Sequence, residues 1–495
     1  MKSICITVVS FFALINFSKS YAQSVQLNNN YADSTSSYIE IIGLGASTSR
    51  TPFWLQANQF GIVPRTSPAG SVRAGFEHFW KMSDSGINTW RVGFGAEAVG
   101  NITKQENKFL LPQAFGSIRY KKWELFVGRK KQWVGLADSS LGTGSYAWSG
   151  NALPIPKIQL GTNGFVSLPF TKDWISFNGF YSDGVFESNR PITSQLKLHQ
   201  KAIYFRLGKE TSRVKLYGGF NHQVQWGGKS PYYTKDGQMP KGFKNYINVV
   251  TGKAHTDNPT AQDSTGRVGN HLGSVDFGLE IETYGATIMF YRQSLYEDGS
   301  LAWLSNIKDG LNGVTIKLKN SYGSNFQIRH IVLEFLNTKN QGGPLNDIQT
   351  GIRQNLGKDN YFNNAQVRDG WSYYDRTIGT PFITPTSDTK GRWPNYADSF
   401  TSNNRVSVFH MGLRGTLLQK VLWTTKLSYS SNSGTYDVPF VGSPTQFSGL
   451  ITMQGNINIF GGTILKGSVA ADLGKLYADT YGFTLGLRKE GLLSK

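Results

Sequence analysis

The chain has one cysteine in 495 residues, and few charged side chains, at 17% of the total. After residue 22 no apolar run approaches the roughly 18 residues that a membrane helix needs. Cys5 lies in a segment with the marks of a secretory leader. Lys2 gives a basic start, Ile4 to Phe17 is mostly apolar, and Ser20-Tyr21-Ala22 places small residues at the cleavage positions. A leader of 1–22 leaves a mature chain of about 473 residues, 495 less 22, without cysteine. A disulfide-stapled domain, thiolate chemistry and cysteine-based zinc sites are thereby excluded. The lack of apolar helices leaves one way to cross a membrane, a closed barrel of strands.

Acidic residues are also scarce, 32 against 51 Lys and Arg. The formal charge is +19, or +17 once Lys2 and Lys19 leave with the leader. Such a balance points to an anionic partner, either an acidic surface polysaccharide or the phosphates of outer-membrane lipid and lipopolysaccharide. Export and the single, scattered placement of the charges argue against nucleic acid. Catalytic signals are missing as well. The seven histidines (78, 199, 222, 255, 271, 330 and 410) form no H-E-x-x-H or other close metal spacing. There is no G-x-S-x-G elbow and no phosphate loop. Paired carboxylates for glycoside cleavage leave no spacing signature, because they meet only in three dimensions. The expectation is a non-enzymatic monomer with no metal and no cofactor.

What the chain has in quantity is Gly (56), Phe (31), Tyr (23) and Trp (12), which suits twisted strands and interfacial aromatic girdles. Residues from Ser274 to Gln293 set the pattern. Val275, Phe277, Leu279 and Ile281 alternate with Asp276, Gly278, Glu280 and Glu282 before Tyr284-Gly285. If those two residues form the turn, Ile281 faces Ile288 and Leu279 faces Phe290 on an apolar side. Glu282 then faces Thr287 and Asp276 faces Gln293 on a polar side. The same period of two recurs along the chain, as in Val72-Ala74-Phe76, Trp90-Val92-Phe94, Ile203-Phe205-Leu207, Val314-Ile316-Leu318 and Phe483-Leu485-Leu487. Segments of this length match tilted barrel strands.

Connections are either short, as at Lys209–Ser212 and Ser83–Gly86, or long, as at Ser139–Pro156, Gly227–Gly273 and Leu336 to about Asn404. That asymmetry fits an outer-membrane barrel with periplasmic turns and external loops. The reading is all-β: a leader at 1–22, a polar lead-in at 23–37, and one transmembrane antiparallel β-barrel at 38–495. It has roughly 16–18 strands and long external loops. Two rivals stand beside a polysaccharide-binding barrel: a porin for small solutes, and a secreted polysaccharide-active enzyme.

Five strings then carry a resemblance. They are Pro52-Phe53-Trp54-Leu55-Gln56-Ala57-Asn58-Gln59-Phe60-Gly61, Asn151 to Lys157, Leu198 to Ala202, His222 to Gly228, and Gly370-Trp371-Ser372 with Ile378 to Phe382. In this order, with Asn404-Arg405-Val406 opening a late strand, they resemble the Wzi-like capsule-assembly proteins in their Bacteroidetes branch, over about residues 38–490. The resemblance implies an outer-membrane barrel that helps attach or assemble capsular polysaccharide as a lectin-like tether.

Candidate polysaccharide contacts each have a plainer reading. Asn151 and Lys157 flank a Pro-x-Pro segment that cannot be regular strand, and offer hydrogen bonds to a sugar acid or belong to a stiff turn. His222, Gln225 and Trp226 sit where a strand gives way to a long loop. Trp226 stacks on a sugar or joins the interfacial aromatic belt. Trp371, Tyr373 and Arg376, with Tyr374, form the densest aromatic-basic cluster. Arg376 suits a uronate carboxylate, while packing against the rim accounts for the same residues. Arg73, Arg91, Arg206, Lys317 and Lys319 are expected to face the lumen, since charge on the lipid face costs roughly 2–4 kcal/mol at mid-bilayer. There they attract a polyanion or pair with Glu77, Glu97, Glu280 and Glu282.

Overall fold

The computed structural model describes residues 34–82, 90–253, 267–297, 300–319, 325–344, 357–390 and 399–491. The leader, most of the lead-in and the Ser83–Gly86 turn lie outside the described residues. Eighteen antiparallel strands close into a barrel. The first six are β1 (Ser34–Ala46), β2 (Ala69–Lys81), β3 (Trp90–Thr103), β4 (Asn107–Tyr120), β5 (Trp123–Arg129) and β6 (Lys157–Thr162, resumed at Val166–Ser167). Next come β7 (Ile175–Val185), β8 (Lys197–Leu207), β9 (Val214–Trp226), β10 (Asn270–Glu282), β11 (Ala286–Tyr296) and β12 (Gly310–Leu318). The last six are β13 (Phe326–Asn337), β14 (Val406–Leu417), β15 (Val421–Asn432), β16 (Thr445–Ile457), β17 (Thr463–Gly474) and β18 (Thr480–Glu490). Each strand pairs with its neighbour in sequence, and β1 pairs with β18 from Tyr38↔Glu490 to Ala46↔Gly482. The ring therefore has no free edge. β1 starts inside the expected lead-in, because Ser34–Ser37 already pair with Phe76–Phe79.

The hairpin of β10 and β11 has the register the alternation predicts: Ile281↔Ile288, Leu279↔Phe290, Glu282↔Thr287 and Asp276↔Gln293. Phe277 is 60% exposed on the outside while Asp276 is 0% exposed on the inside. The apolar side is the outer wall. Because every strand reverses direction, successive connections alternate between the two ends, and the long loops share one end with the short β3–β4 and β17–β18 turns. Exposed Trp80, Trp90, Trp123, Trp174 and Phe326 ring the short-turn end. This is the aromatic girdle of a membrane barrel.

The upper lumen, at the long-loop end, is filled. Segments 47–68, 130–156, 357–390 and 399–404 fold inward as a plug. Their Tyr146, Trp148, Ile155, Tyr361, Phe362, Trp371 and Ile378 pack on inward-facing Leu198, Ala202, Tyr204, Leu272 and Leu295 of the wall. A barrel of this strand number leaves a lumen wide enough to need such filling. In the connection after β9, the helix Phe243–Thr251 (α2) lies on the outer wall, with Val249 against Val224, Trp226 and Val268.

Candidate functional site

The strings that resemble a family turn out to build the plug and its seat. The one-turn helix Phe53–Gln56 (α1) projects into the lumen, where Trp54 Nε1 donates to Ser428 Oγ at 3.1 Å and the Phe53 N–H donates to Asp472 Oδ2 at 2.9 Å. The Phe53 ring lies 4.8 Å from that of Phe382. The Asn58 and Phe60 main-chain N–H groups donate to Asn151 Oδ1 and the Gly150 carbonyl. The Thr380 N–H donates to the Tyr146 carbonyl at 2.9 Å. A Cβ on the intervening Gly379 would collide with that same carbonyl, so only glycine fits there.

This use decides the fate of several expected sugar contacts. Asn151 is buried, its Nδ2 donating to the Thr377 carbonyl and its Oδ1 taken by Asn58. It is a strut. Lys157 is buried too. Its Nζ donates to Gln200 Oε1 at 2.8 Å and lies near the Trp148 and Phe180 rings, 5.0 and 5.3 Å from their centroids. Gln200 donates to Gln223, and Gln223 to the Ala147 carbonyl, so a polar chain runs from wall to plug. His222, Gln225 and Trp226 do not converge. Gln225 points inward to the Gly370 carbonyl and to Asn270, whereas His222 and Trp226 point outward beneath α2. Trp226 therefore meets neither open solvent nor lipid. Trp371 is 0% exposed in the middle of the plug.

Four of the five cations expected at the lumen take inward positions. Arg73 faces inward, 3.5 Å from Glu40. Arg206 donates to Ser176 Oγ at 3.1 Å and covers the Phe165 ring. Arg91 and Lys317 occupy inward positions nearer the short-turn end, opposite Arg119 and His330 respectively. Lys319 does not line the lumen. It lies past the end of β12 at the short-turn rim, where it pairs with Glu282 and donates to the Thr283 carbonyl. Pairing is common on this wall: Glu97 takes Lys131 at 2.6 Å and Glu280 takes Lys215 at 2.7 Å.

A cleft of about 240 Å³ lies at the long-loop end. Its walls are 61–66 of the first loop, the β3–β4 turn with Glu106 and Lys108, and the hairpin Ser372–Thr377. Tyr373 and Arg376 line this cleft. Tyr374, the fourth member of the aromatic-basic cluster, lines it too, and Arg65 and Lys108 were the residues missed. Tyr374 and Asp375 occupy the hairpin turn with φ of 47° and 58°. Left-handed backbone at two non-glycine residues is costly unless held from outside. Here it is held. The Glu187 carboxylate accepts the Tyr374 N–H at 3.0 Å, and Arg190 Nη1 donates to the Ser372 carbonyl at 2.9 Å. Arg190 is itself clamped between Glu187 and Asp369, 3.1 and 3.4 Å away.

The result is a Tyr374 ring that is 43% exposed over a basic floor. Arg65 reaches the Asp375 carbonyl and lies 3.7 Å from Asp388. Arg376 donates to Gln56 Oε1 at 3.2 Å and to the Val63 carbonyl. Burial, with the Arg65 charge beside it, pushes Arg376 down to about 9, so it stays protonated at neutral pH. Tyr373 is buried behind, its hydroxyl accepting from Arg129 at 3.0 Å. Lys108 Nζ lies 2.6 Å from Glu106 at the cleft's edge. An exposed ring beside fixed guanidinium groups can stack on a sugar face and bind a carboxylate. Among the described residues no group of three or more His, Cys, Asp or Glu is arranged to hold a metal ion.

Comparison with known proteins gives the following. Among solved structures, the outer-membrane protein Wzi of Escherichia coli has a TM-score of 0.57 to this chain at 17% identity, covering 91% of this chain and 84% of that one. That protein is involved in group 1 capsule assembly and is described as a carbohydrate-binding β-barrel. Pseudomonas aeruginosa OccK5 (OpdH) gives 0.47 at 8% identity, and Acinetobacter baumannii OccAB4 gives 0.46 at 10%. Each of those two covers 93% of this chain and 98% of its own. No curated protein matches. Likeness at 17% identity carries the fold alone, but the family model described as capsule assembly protein Wzi matches residues 14–410. The chain belongs to the Wzi capsule assembly family.

Proposed function

We propose that this outer-membrane barrel binds an acidic surface polysaccharide at its long-loop end and tethers it during capsule assembly. The observation that carries the reading is the clamped hairpin, which holds the exposed Tyr374 beside Arg65, Arg376 and Lys108 in an outward-facing cleft. Family membership and the carbohydrate binding described for the Escherichia coli protein support it. The role is that of a lectin, not an enzyme, and the chain acts as a monomer exported through the leader at 1–22. The inward cations Arg73, Arg91, Arg206 and Lys317 give the lower lumen a polar wall rather than a sugar site.

A porin needs a continuous opening. The plug's apolar packing on Leu198, Tyr204, Leu272 and Leu295 weighs against one. The test is deletion of the gene, followed by measurement of cell-bound against released capsule. A shift of capsule into the medium is expected, and unchanged retention would remove the tether role.

A further inference from the structure

The inner wall beneath α1 carries cations that neither the cleft nor the plug uses. Register places Arg414 of β14 opposite His330 and Thr424, Thr424 opposite Thr452, and Thr452 opposite Ser468, all facing the lumen. Lys426 lies two positions above Thr424 on β15, and Lys466 two positions below Ser468 on β17. Diagonal neighbours in a sheet are close enough for long side chains to meet. Arg414, Lys426 and Lys466 thus frame a row of hydroxyls. Trp54 and Leu55 of α1 roof that row, and with Thr452, Lys466 and Ser468 they line a recess of about 70 Å³. This is the scale of a small ion rather than of a sugar chain.

The carboxylates nearby are engaged elsewhere. Asp138 of the plug lies 3.0 Å from His330 Nε2 and accepts the Ser140 and Leu141 N–H groups. Glu40, on the far wall of the recess, lies 3.5 Å from Arg73 and 3.9 Å from Arg488. Glu334, higher on β13, accepts from the Tyr291 hydroxyl and the Thr143 N–H. Among the described residues, Arg414, Lys426 and Lys466 form no ion pair and donate no hydrogen bond. Residues 320–324, which lead from β12 to β13, include no Asp or Glu. Lys426 is only 8% exposed, its Nζ 4.7 Å from the centroid of the Trp54 ring. A π face offsets only part of the desolvation of an ammonium group, so this burial calls for an anion. Arg414 adds an Nε that is buried without a partner.

We infer that this wall is a binding site for a phosphate group. The Arg414 guanidinium and the Lys426 and Lys466 ammonium groups take its oxygens, and the Thr424, Thr452 and Ser468 hydroxyls complete the shell. Near neutral pH a phosphate monoester carries a charge of about −1.5 to −2 on its acceptor oxygens, which matches convergent cations better than a single carboxylate does. Free inorganic phosphate and the phosphate ester of a small molecule present the same chemistry. Lys426 lies against Trp54, whose Nε1 donates to Ser428, so the bound group ties α1 to the wall and stiffens the plug from below. This rests on the barrel and its plug and not on the sugar cleft.

The experiment is thermal melting of the full-length protein in detergent, titrated at constant ionic strength with inorganic phosphate, with glycerol 3-phosphate and with chloride. Wild type is expected to show a saturable rise in melting temperature with phosphate and none with chloride. Lys426→Met combined with Lys466→Gln should raise the half-saturating phosphate concentration at least tenfold, while saccharide binding shows separately whether the cleft is intact. A rise with inorganic phosphate alone identifies the free ion as the ligand, and a rise with the ester identifies a phosphorylated small molecule. No rise beyond that of chloride in wild type overturns the proposal, and this arm needs no variant. So does an unchanged half-saturating concentration in the double variant or, if that variant fails to assemble, in Lys466→Gln alone.

Discussion

The Glu187 carboxylate accepts the main-chain N–H of Tyr374 at 3.0 Å, joining residues 187 positions apart in sequence. This bond and the Arg190 contact to Ser372 hold a left-handed turn that would otherwise relax. Glu187→Ala removes the acceptor and takes one of two carboxylates from the buried Arg190, leaving Asp369. The expected local cost is about 3 kcal/mol, at the lower end for breaking a buried pair. The barrel should keep its heat-modifiable mobility on gels. The hairpin at 372–377 should become sensitive to limited proteolysis, and affinity for acidic saccharide should fall with it.

Tyr374 and Trp371 separate binding from stability. Tyr374→Ala removes an exposed ring, so the melting temperature should hold while saccharide affinity drops about tenfold, or ~1.4 kcal/mol. Trp371→Ala empties the centre of the plug and should cost about 3–5 kcal/mol of plug stability. Melting followed by intrinsic fluorescence, paired with a binding titration, distinguishes the two. A Tyr374→Ala protein that melts early but binds normally would invert these roles.

The membrane placement gives an asymmetric pair. Leu279 lies on the outer face between Leu216 and Phe290, and Glu280 on the inner face bonded to Lys215. Leu279→Lys should impair assembly by roughly 2–4 kcal/mol near mid-bilayer, and Glu280→Gln far less. The yield of folded protein in the outer-membrane fraction reads the difference.

Asp309, in the loop before β12, adds a pH dependence. Burial pushes its carboxyl up to about 6, against the pull of the Gln341 and Asn340 amides and the Tyr361 hydroxyl. A folded pKa above the unfolded one contributes stability that is full below about pH 3.8 and is lost as pH rises through about 6. Asp309→Asn cannot titrate. Its deficit relative to wild type should be larger at pH 4.5 than at pH 7.5, by on the order of 1–3 kcal/mol, in melts at both pH values.

These residues also mark what could be read in advance. The register from Leu279↔Phe290 to Asp276↔Gln293 was legible because a strand's period of two and a two-residue turn leave one solution. Lys319 was misplaced for a related reason: alternation continues on paper past Leu318, whereas the strand stops there. The plug obeys no period. Asn151 and Trp371 have the side chains of a sugar site, yet the fold uses one as a strut and the other as core. Glu187 and Arg190 looked ordinary in sequence. Their role exists only once loops nearly 190 residues apart meet, and no local pattern encodes such a meeting.

The central claim is that the Tyr374 cleft binds acidic polysaccharide. The direct measurement is a calorimetric titration of full-length protein in detergent with purified capsular fragments, for wild type and for Tyr374→Ala combined with Lys108→Glu. The account predicts saturable binding by wild type and at least tenfold weaker binding by the double variant, with both proteins equally folded. Equal affinity in the two, or no saturable binding by wild type, would contradict it.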